Sequence, residues 1–467
     1  MFNRISFHLR GRLKESGKDM TLGKPFSLII FYSIPLLLGN IFQQMYNMVD
    51  TIIVGRLLGT NALAAVGNTG PMNFLVLGFA YGVTSGFAVI TAQRFGAHDE
   101  KGLRWSVAMN IMLNVVIGIV ITLLSCALTM PILKAINTPA EIMDQSFTYI
   151  FIIYLGLGAM ILYNASACIL RAVGDSRSPL VFLIFSSLLN IVLDLVLIIY
   201  GKMGVAGAAL ATVISQAVAG IGSAVWIWVR YPFLRVSRRD FVWESYFALQ
   251  HLRIGLNMAF QFSITAIGVI VLQGALNVFG AAKIAGYTAA QKVEQLVTVA
   301  AQTLGVTMAN YGGQNWGANR IDRIKDGTNK AVIISLVFSV IATLMAWFLS
   351  DQLAGLFISG SQGEVLDGAR TYLHICGVFF PVLFLLFIYR NVLQSIGKGF
   401  WPLMGGVFEL IARIVGAATF PHFFGYAGIC LSEPAAWVLA TVPLGIAYYK
   451  IMRGLNNENI LAMKTRK

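Results

Sequence analysis

Long stretches without a charged residue constrain this chain more than any other feature of its sequence. Ile111 to Leu128 and Ala331 to Leu349 carry no charge, and about 18 such residues suffice for a helix to cross the roughly 30 Å hydrocarbon core of a membrane. Backbone polar groups in lipid must be satisfied within the segment, which favours helices. A membrane β-barrel would instead show short strands of alternating hydrophobicity. The sequence therefore predicts an all-α membrane protein.

Twelve hydrophobic spans are predicted, and the basic residues between them are distributed as in a membrane protein. The 34 Lys and Arg residues are concentrated in the two tails and in every second gap. Because cytoplasmic segments are enriched in Lys and Arg, we expect a multi-pass protein of a cell (inner) membrane, with both termini in the cytoplasm. The net charge of +14 follows from this topology and indicates no nucleic-acid partner. The predicted spans are 26–52, 62–92, 105–131, 141–171, 178–200, 204–230, 250–279, 283–312, 329–350, 364–395, 400–422 and 426–452.

A basic and aromatic segment near the middle of the chain divides the spans into two sets of six. It contains Arg235, Arg238 and Arg239 close to Phe241 and Trp243, a composition typical of a segment at a membrane surface. The predicted organisation is a cytoplasmic tail (1–24), an N-terminal six-helix lobe (25–231), a cytoplasmic linker (232–249), a C-terminal six-helix lobe (250–452) and a second cytoplasmic tail (453–467).

The two halves repeat each other in sequence at three places. AQRFGAH at 92–98 matches GQNWGAN at 313–319, LRAVG at 170–174 matches LQSIG at 393–397, and GVAG at 204–207 matches GYAG at 425–428. The separation between matched positions is nearly the same at all three places, which indicates one duplication. Since each half has an even number of spans, the repeat is predicted to be parallel, about an axis along the membrane normal.

Polar residues inside the spans of the first half form a candidate cation site. A stripe along one face of the first span consists of Asn40, Gln43, Asn47 and Asp50. A mid-span aspartate costs about 2.5–3.5 kcal/mol, which favours a bound cation, a protonated state or access to water over a structural role for Asp50. Asn190 and Asp194 lie one turn apart on the fifth span, and Thr212 follows on the sixth. Such oxygen atoms suit a small cation, or a proton shared by two carboxylates.

Charged residues inside the spans of the second half indicate different roles. Gln291 and Glu294 lie in the eighth span, and we expect a functional role for Glu294. Glu409 and Arg413 are four residues apart in the eleventh span, in the order that favours a structural ion pair. Glu433 lies near the outer end of the last span and is expected to be solvated there.

With these residues the chain resembles the multidrug and toxic compound extrusion (MATE) family of cation-coupled exporters, in its prokaryotic branch. The resemblance covers the whole transmembrane region and is most specific in Pro35 to Gly55, in the loops at Gln93 and Gln314, and in Leu170 to Pro179. It implies the MATE fold, an all-α membrane protein with twelve transmembrane helices in two pseudo-symmetric six-helix lobes.

The resemblance also implies roles for individual residues. The family's cation site in the N-terminal lobe, which would hold H+ or a Na+ ion, matches four residues of this chain: Asp50, Asn190, Asp194 and Thr212. Glu294 matches an acidic residue that the family carries in its second lobe, and we assign it to substrate binding together with three further residues of our own choice: Gln291, Asn47 and Gln43. Asp50 aligns with Val271 and Asp194 with Ala417, so cation coupling is expected in the first lobe alone.

The expected function is secondary active multidrug efflux, an H+ or Na+ antiport that exports amphipathic, often cationic compounds by alternating access. The expected partners are small-molecule drugs or xenobiotics and membrane lipid. We expect a monomer that needs no cofactor other than the coupling ion. The sequence has no phosphate-binding loop, zinc motif or nucleophile elbow, which argues against an ATP-driven pump and an enzyme. The alternatives are a flippase for lipid-linked saccharides, a channel and a membrane-embedded enzyme.

Overall fold

The computed structural model describes residues 18–357 and 363–464, with side chains as far as residue 455. Parts of the predicted tails 1–24 and 453–467 therefore lie outside the described residues. The helices are α1 (Pro25–Leu58), α2 (Thr60–Asn68), α3 (Gly70–Gly96), α4 (Glu100–Ala135), α5 (Ala140–Leu155), α6 (Leu157–Ala172), α7 (Arg177–Leu195), α8 (Gly204–Arg230), α9 (Ser245–Leu276), α10 (Gly280–Gly317), α11 (Ile321–Phe348), α12 (Ser350–Gly355), α13 (Gly363–Ser395), α14 (Phe400–Phe424) and α15 (Tyr426–Lys464).

The lengths of these helices agree with the predicted membrane spans. Ten helical segments of the described chain are long and apolar enough to cross a membrane, and the bent pair α5 and α6 can form an eleventh. One of the ten, Ser245–Gly317, has 73 residues and contains both α9 and α10. Since a crossing needs only about 20 residues, this segment is long enough for two. Counted in this way, the described residues provide twelve transmembrane helices, and the fold is the predicted all-α membrane protein.

Two of the predicted spans are broken rather than continuous. The second begins as the short helix α2 and continues as α3 after Thr69. The fourth bends by 48° where α5 meets α6 at Gly156. A Cβ atom at Gly156 would lie 2.2 Å from Cγ2 of Val213 on α8, so only glycine allows this close approach. The bend therefore has a packing cause, which the hydrophobic pattern of the sequence did not reveal.

The internal repeat is also visible in the turns at the helix ends. His98 and Asn319, which are equivalent in the first sequence match, both have a left-handed backbone, with φ of 53° and 55°. The other two sequence matches contain equivalent glycine pairs, Gly174 (φ 87°) with Gly397 (φ 78°) and Gly204 (φ 59°) with Gly425 (φ 57°). Positive φ favours glycine and is tolerated by asparagine and histidine. The three matches thus mark the same turns in both halves.

The described chain forms two compact units. The first unit comprises Met1–Met20, as far as it is described, and Ile34–Ala259. The second unit comprises Thr21–Ser33 and the described part of Phe260–Lys467. One division precedes α1, between Met20 and Thr21, and the other two fall inside α1, next to Pro35, and inside α9. Each of these two helices, the first long helix of its half, is therefore shared between the units.

Small residues position α9 in the first unit. A Cβ atom at Gly82 of α3 would lie 2.6 Å from Cα of Ala259, and one at Gly86 would lie 2.5 Å from Cα of Gly255. The backbones of α3 and of the first part of α9 thus touch directly, as expected where small residues line a helix interface in a membrane.

Candidate cation-binding site in the first unit

Three helices of the first unit bring the predicted coupling residues together. Asp50 lies on α1, Asn190 and Asp194 on α7, and Thr212 on α8. Asn190 Nδ2 donates a hydrogen bond to Thr212 Oγ1 at 3.3 Å, and the Thr212 hydroxyl donates to the backbone carbonyl of Ala208 at 3.1 Å. These contacts hold α7 against α8 one helical turn from Asp194.

The two acids of the site approach each other directly. The carboxyl groups of Asp50 and Asp194 are close enough to share a hydrogen bond when one of them carries a proton. Asn190 and Asp194 are fully buried, and Asp50 is half-buried. Two ionised carboxylates in such surroundings repel each other, so the pair is stable only with a proton or another cation between them.

Several oxygen atoms of the site have no hydrogen-bond donor among the described residues. They are Oδ1 of Asp50, Oδ1 of Asn190 and both carboxyl oxygens of Asp194. A buried acceptor without a partner costs roughly 1–3 kcal/mol, so this group of atoms points to a ligand that brings positive charge. Carboxylate, amide and hydroxyl oxygens are hard ligands that suit a small metal cation, and the two acids can also share one proton. The residues present fit either H+ or Na+.

Two tyrosines near the acids were not predicted from the sequence. Tyr46, one turn before Asp50 on α1, lies close to Thr212 and within electrostatic range of both aspartates. Tyr149 on α5 is buried and lies in range of the same two carboxyl groups. The spacing of Tyr46 and Asp50 was a usable signal, because residues four apart share a helix face. Tyr149 lies on a separate helix, and no local pattern connects it with the acids.

Gln43 and Asn47, predicted to bind substrate, lie on the exposed side of α1. Both side chains are exposed within a membrane-spanning helix, and Thr51 continues the same face. The Thr51 hydroxyl donates a hydrogen bond to the backbone carbonyl of Asn47 at 2.8 Å. The side-chain amide of Asn47 takes no part in this hydrogen bond. Polar side chains inside a membrane span generally face water or protein rather than lipid. The two amides are therefore accessible to a bound compound.

The other two residues assigned to substrate binding belong to the second unit. The Glu294 carboxylate accepts a hydrogen bond from the Tyr372 hydroxyl on α13 and another from Thr298 on its own helix, at 3.3 Å. Gln291, three residues earlier on α10, is half-buried. Glu294 is thus engaged with neighbouring side chains of its own unit.

Four buried charged residues of the second unit form an alternating chain of ion pairs. Arg390 on α13 pairs with Glu409, Glu409 with Arg413 at 3.6 Å, and Arg413 with Glu433 at 2.6 Å. Glu409 and Arg413 therefore meet at the i, i+4 spacing seen in the sequence, but each also pairs with a residue of another helix.

The expectation that Glu433 is solvated is wrong. Its side chain is 12% exposed and accepts two hydrogen bonds from the Arg413 guanidinium, at 2.6 and 3.0 Å. The reason is that α15 begins at Tyr426, so Glu433 lies two turns inside that helix and faces α14. The sequence showed that Glu433 lies near the end of a hydrophobic span. It did not show which side of the helix carries the carboxylate.

The internal repeat relates this chain of ion pairs to the cation site. In the register set by the matched turns before α7 and α14, Arg413 corresponds to Asn190. In the register set by the matched turns before α8 and α15, Glu433 corresponds to Thr212. The amide–hydroxyl contact of the first unit is thus replaced in the second unit by a guanidinium–carboxylate pair.

Comparison with known proteins connects this fold and site with one family. The MatE family model matches residues 35–196 and 254–419. A relative from Bacillus subtilis, "Probable multidrug resistance protein YoeA", is 27% identical over 431 residues, which are 90% of this chain and 92% of that protein. A second relative from Bacillus subtilis, "Probable multidrug resistance protein YpnP", is 25% identical, with 93% and 97% covered. A solved structure of a multidrug resistance MATE family transporter in an outward-facing conformation has a TM-score of 0.88 at 24% identity, with 94% and 98% covered.

The fold and the site define a polytopic helical membrane transporter built from two repeated halves. The family model matches well over half of the chain, and the chain belongs to the MatE family of multidrug and toxic compound extrusion proteins. The family resemblance and the fold predicted from the sequence are therefore confirmed. At 24% identity, the similarity to the solved structure shows a shared fold.

Proposed function

We propose that the chain is a secondary active exporter, in which inward flow of H+ or Na+ drives the export of amphipathic compounds. The proposal depends chiefly on the Asp50 and Asp194 carboxyl groups, which face each other with acceptor oxygens that no described donor satisfies. Such a site changes its net charge when it takes up or releases one cation. Relatives named as multidrug resistance proteins support a cargo of small and chemically varied molecules.

The geometry of α1 supports a direct route for coupling. The same helix carries Asp50 in the site and the exposed amides of Gln43 and Asn47, which we assign to substrate contact. A cation that binds Asp50 and Asp194 more tightly in one conformation than in another would shift the position of α1, and with it the two amides. Export by alternating access requires this difference in affinity. Gln291 and Glu294 are assigned to the same substrate role in the second unit.

The proposed setting is a bacterial cell membrane, with a monomeric protein and both termini in the cytoplasm. The distribution of basic residues supports this orientation. Single cysteines introduced into the linker 232–249 should react with an impermeant thiol reagent only from the cytoplasmic side. Reaction from the outer side alone would reverse the proposed topology.

The transport proposal is tested with purified protein in liposomes under imposed gradients. Uptake of a fluorescent amphipathic cation such as ethidium should accelerate when H+ or Na+ is made to flow in the opposite direction. It should continue against the concentration gradient of the dye. Equal rates with and without either ion gradient would contradict ion-coupled export.

The same assay separates the proposal from its alternatives. A channel would equilibrate the dye but never concentrate it. A flippase would move a lipid-linked saccharide between leaflets and leave soluble dyes untouched. A membrane-embedded enzyme would alter the compound chemically, which mass spectrometry of the recovered dye would detect.

A further inference from the structure

The exposed side of α10 carries a line of polar residues within a membrane-spanning segment. The exposed members are Thr288, Lys292, Gln295 and Gln302. At about 100° per residue these four positions lie within an arc of roughly 80° on the helix. One of them is a cation, and Leu296, which is 50% exposed, borders it on the same side. This side of α10 thus combines a positive charge, amide groups and an apolar contact.

This polar line does not resemble a surface in contact with lipid. The next helix, α11, exposes Ile333, Val337 and Ile341, an apolar series of the kind that lipid requires. Lys292 lies nine residues, or about 14 Å along the axis, beyond Lys283, which pairs with Asp367 at 2.9 Å. A lysine at this depth is costly in lipid, and such residues are retained for contact with water, a counter-ion or a substrate.

Lys292 forms no ion pair with any residue that the structure describes. The ion pairs of the second unit within the described residues involve Lys283, Arg320, Arg370, Arg390 and Arg413, and Lys292 takes part in none of them. Glu294 is close in sequence, but two residues along a helix place it about 200° away, on the opposite side. The hydrogen bonds of Glu294 to Tyr372 and Thr298 agree with this orientation.

We infer that Lys292 binds an anionic group of the transported compound, with Gln295 as a hydrogen-bond partner and Leu296 as an apolar contact. The charge on the exposed side of α10 is positive, whereas Glu294 is half-buried on the other side of the helix. The inference rests on the proposed export function and defines its cargo more closely. The favoured class is amphipathic molecules that carry a carboxylate, sulfonate or phosphate, including zwitterions.

A matched pair of dyes tests this inference by equilibrium binding. Tetramethylrhodamine carries a free carboxylate, and its methyl ester has the same cationic ring system without that charge. Binding to the full-length protein in nanodiscs is followed by fluorescence anisotropy. The wild-type protein should bind the acid more tightly than the ester. Lys292→Gln should weaken binding of the acid about tenfold, in keeping with loss of a charge-assisted hydrogen bond, and leave the ester nearly unchanged.

Two further variants control for charge and position. Lys292→Arg should keep the preference for the acid, and Lys283→Gln, which removes a positive charge elsewhere on α10, should not reduce it. Because Lys292 is exposed, Lys292→Gln should keep the unfolding temperature of the wild-type protein. A wild-type protein without preference for the acid, or a Lys292→Gln variant that retains the preference, would overturn the inference. Transport under an ion gradient is measured in a separate assay. Loss of that transport would contradict the proposed export function but not the binding of an anionic group by Lys292.

Discussion

The two halves of this transporter place different chemistry at equivalent positions. In the first unit, Asn190 and Thr212 form a neutral contact of 3.3 Å beside two acids that pair with no basic residue in the described part of the chain. In the second unit, Arg413 and Glu433 occupy the corresponding positions and form an ion pair of 2.6 Å. A tethered guanidinium thus neutralises a carboxylate permanently in the second unit. In the proposed mechanism, the positive charge in the first unit comes from a mobile ion, which can leave again.

In the proposed mechanism, this difference explains why ion coupling is confined to one half. A buried carboxylate requires a compensating charge, since an unpaired one is strongly destabilising. When the partner is an arginine of the same chain, the charge of the site stays constant through a transport cycle. When the partner is a proton or Na+, occupancy of the site can differ between conformations and so drive the cycle.

The largest effect is expected from Asp50→Asn. The substitution keeps size and shape but removes the charge that attracts the coupling ion, so ion-driven dye transport in liposomes should fall to the level of empty liposomes. Asp144→Asn, the same change at an exposed acid of the first unit, serves as the control and should transport normally. Undiminished transport by Asp50→Asn over a range of pH values would remove this carboxylate from the coupling site.

Breaking the ion pair between Arg413 and Glu433 in the second unit should have a large effect on stability. Arg413→Asn leaves Glu433 buried without its partner and should destabilise the protein by about 3–5 kcal/mol. The double variant Arg413→Asn with Glu433→Thr reproduces the pairing of Asn190 with Thr212 and should recover most of that loss. Thermal unfolding followed by tryptophan fluorescence measures both. A double variant as unstable as the single one would mean that the two contacts are not interchangeable.

A smaller, selective effect is expected from Glu294→Gln. If Glu294 acts in substrate binding, transport of cationic dyes should fall several-fold more than that of neutral ones, and the dependence on the ion gradient should be unchanged. The comparison requires one cationic and one neutral dye in the same liposome preparation. Equal losses for both dyes, together with a changed ion dependence, would indicate that Glu294 takes part in cation coupling. Coupling would then not be confined to the first unit.

The smallest effect is expected from Tyr46→Phe. Loss of the hydroxyl removes a polar group beside Thr212 and the two aspartates but leaves both acids in place. The ion concentration at half-maximal transport should therefore rise about fivefold, equivalent to about 1 kcal/mol. Tyr163→Phe removes a buried hydroxyl that donates to the backbone carbonyl of Pro179, and it serves as the control. An identical shift in both variants would indicate a general loss of packing.

The sequence predicted those parts of the molecule that depend on local pattern. The helices, the duplication and the family were predicted from apolar runs and from the repeated turns. The spacing of Asn190 and Asp194 gave one side of the cation site. Contacts between helices could not be predicted in this way, because the spacing of residues in the sequence carries no information about which helix faces meet. Tyr149 was therefore missed and Glu433 was wrongly expected in solvent.

The most direct test of the account is a double-substitution cycle on the two acids of the cation site. If Asp50 and Asp194 hold one ion between them, Asp50→Asn and Asp194→Asn should each nearly abolish ion-driven transport, and the double variant should lose little more. Transport rates in liposomes under an imposed H+ or Na+ gradient give the three values needed. Losses that add in free energy, with substantial transport left in both single variants, would mean that the two aspartates serve separate sites.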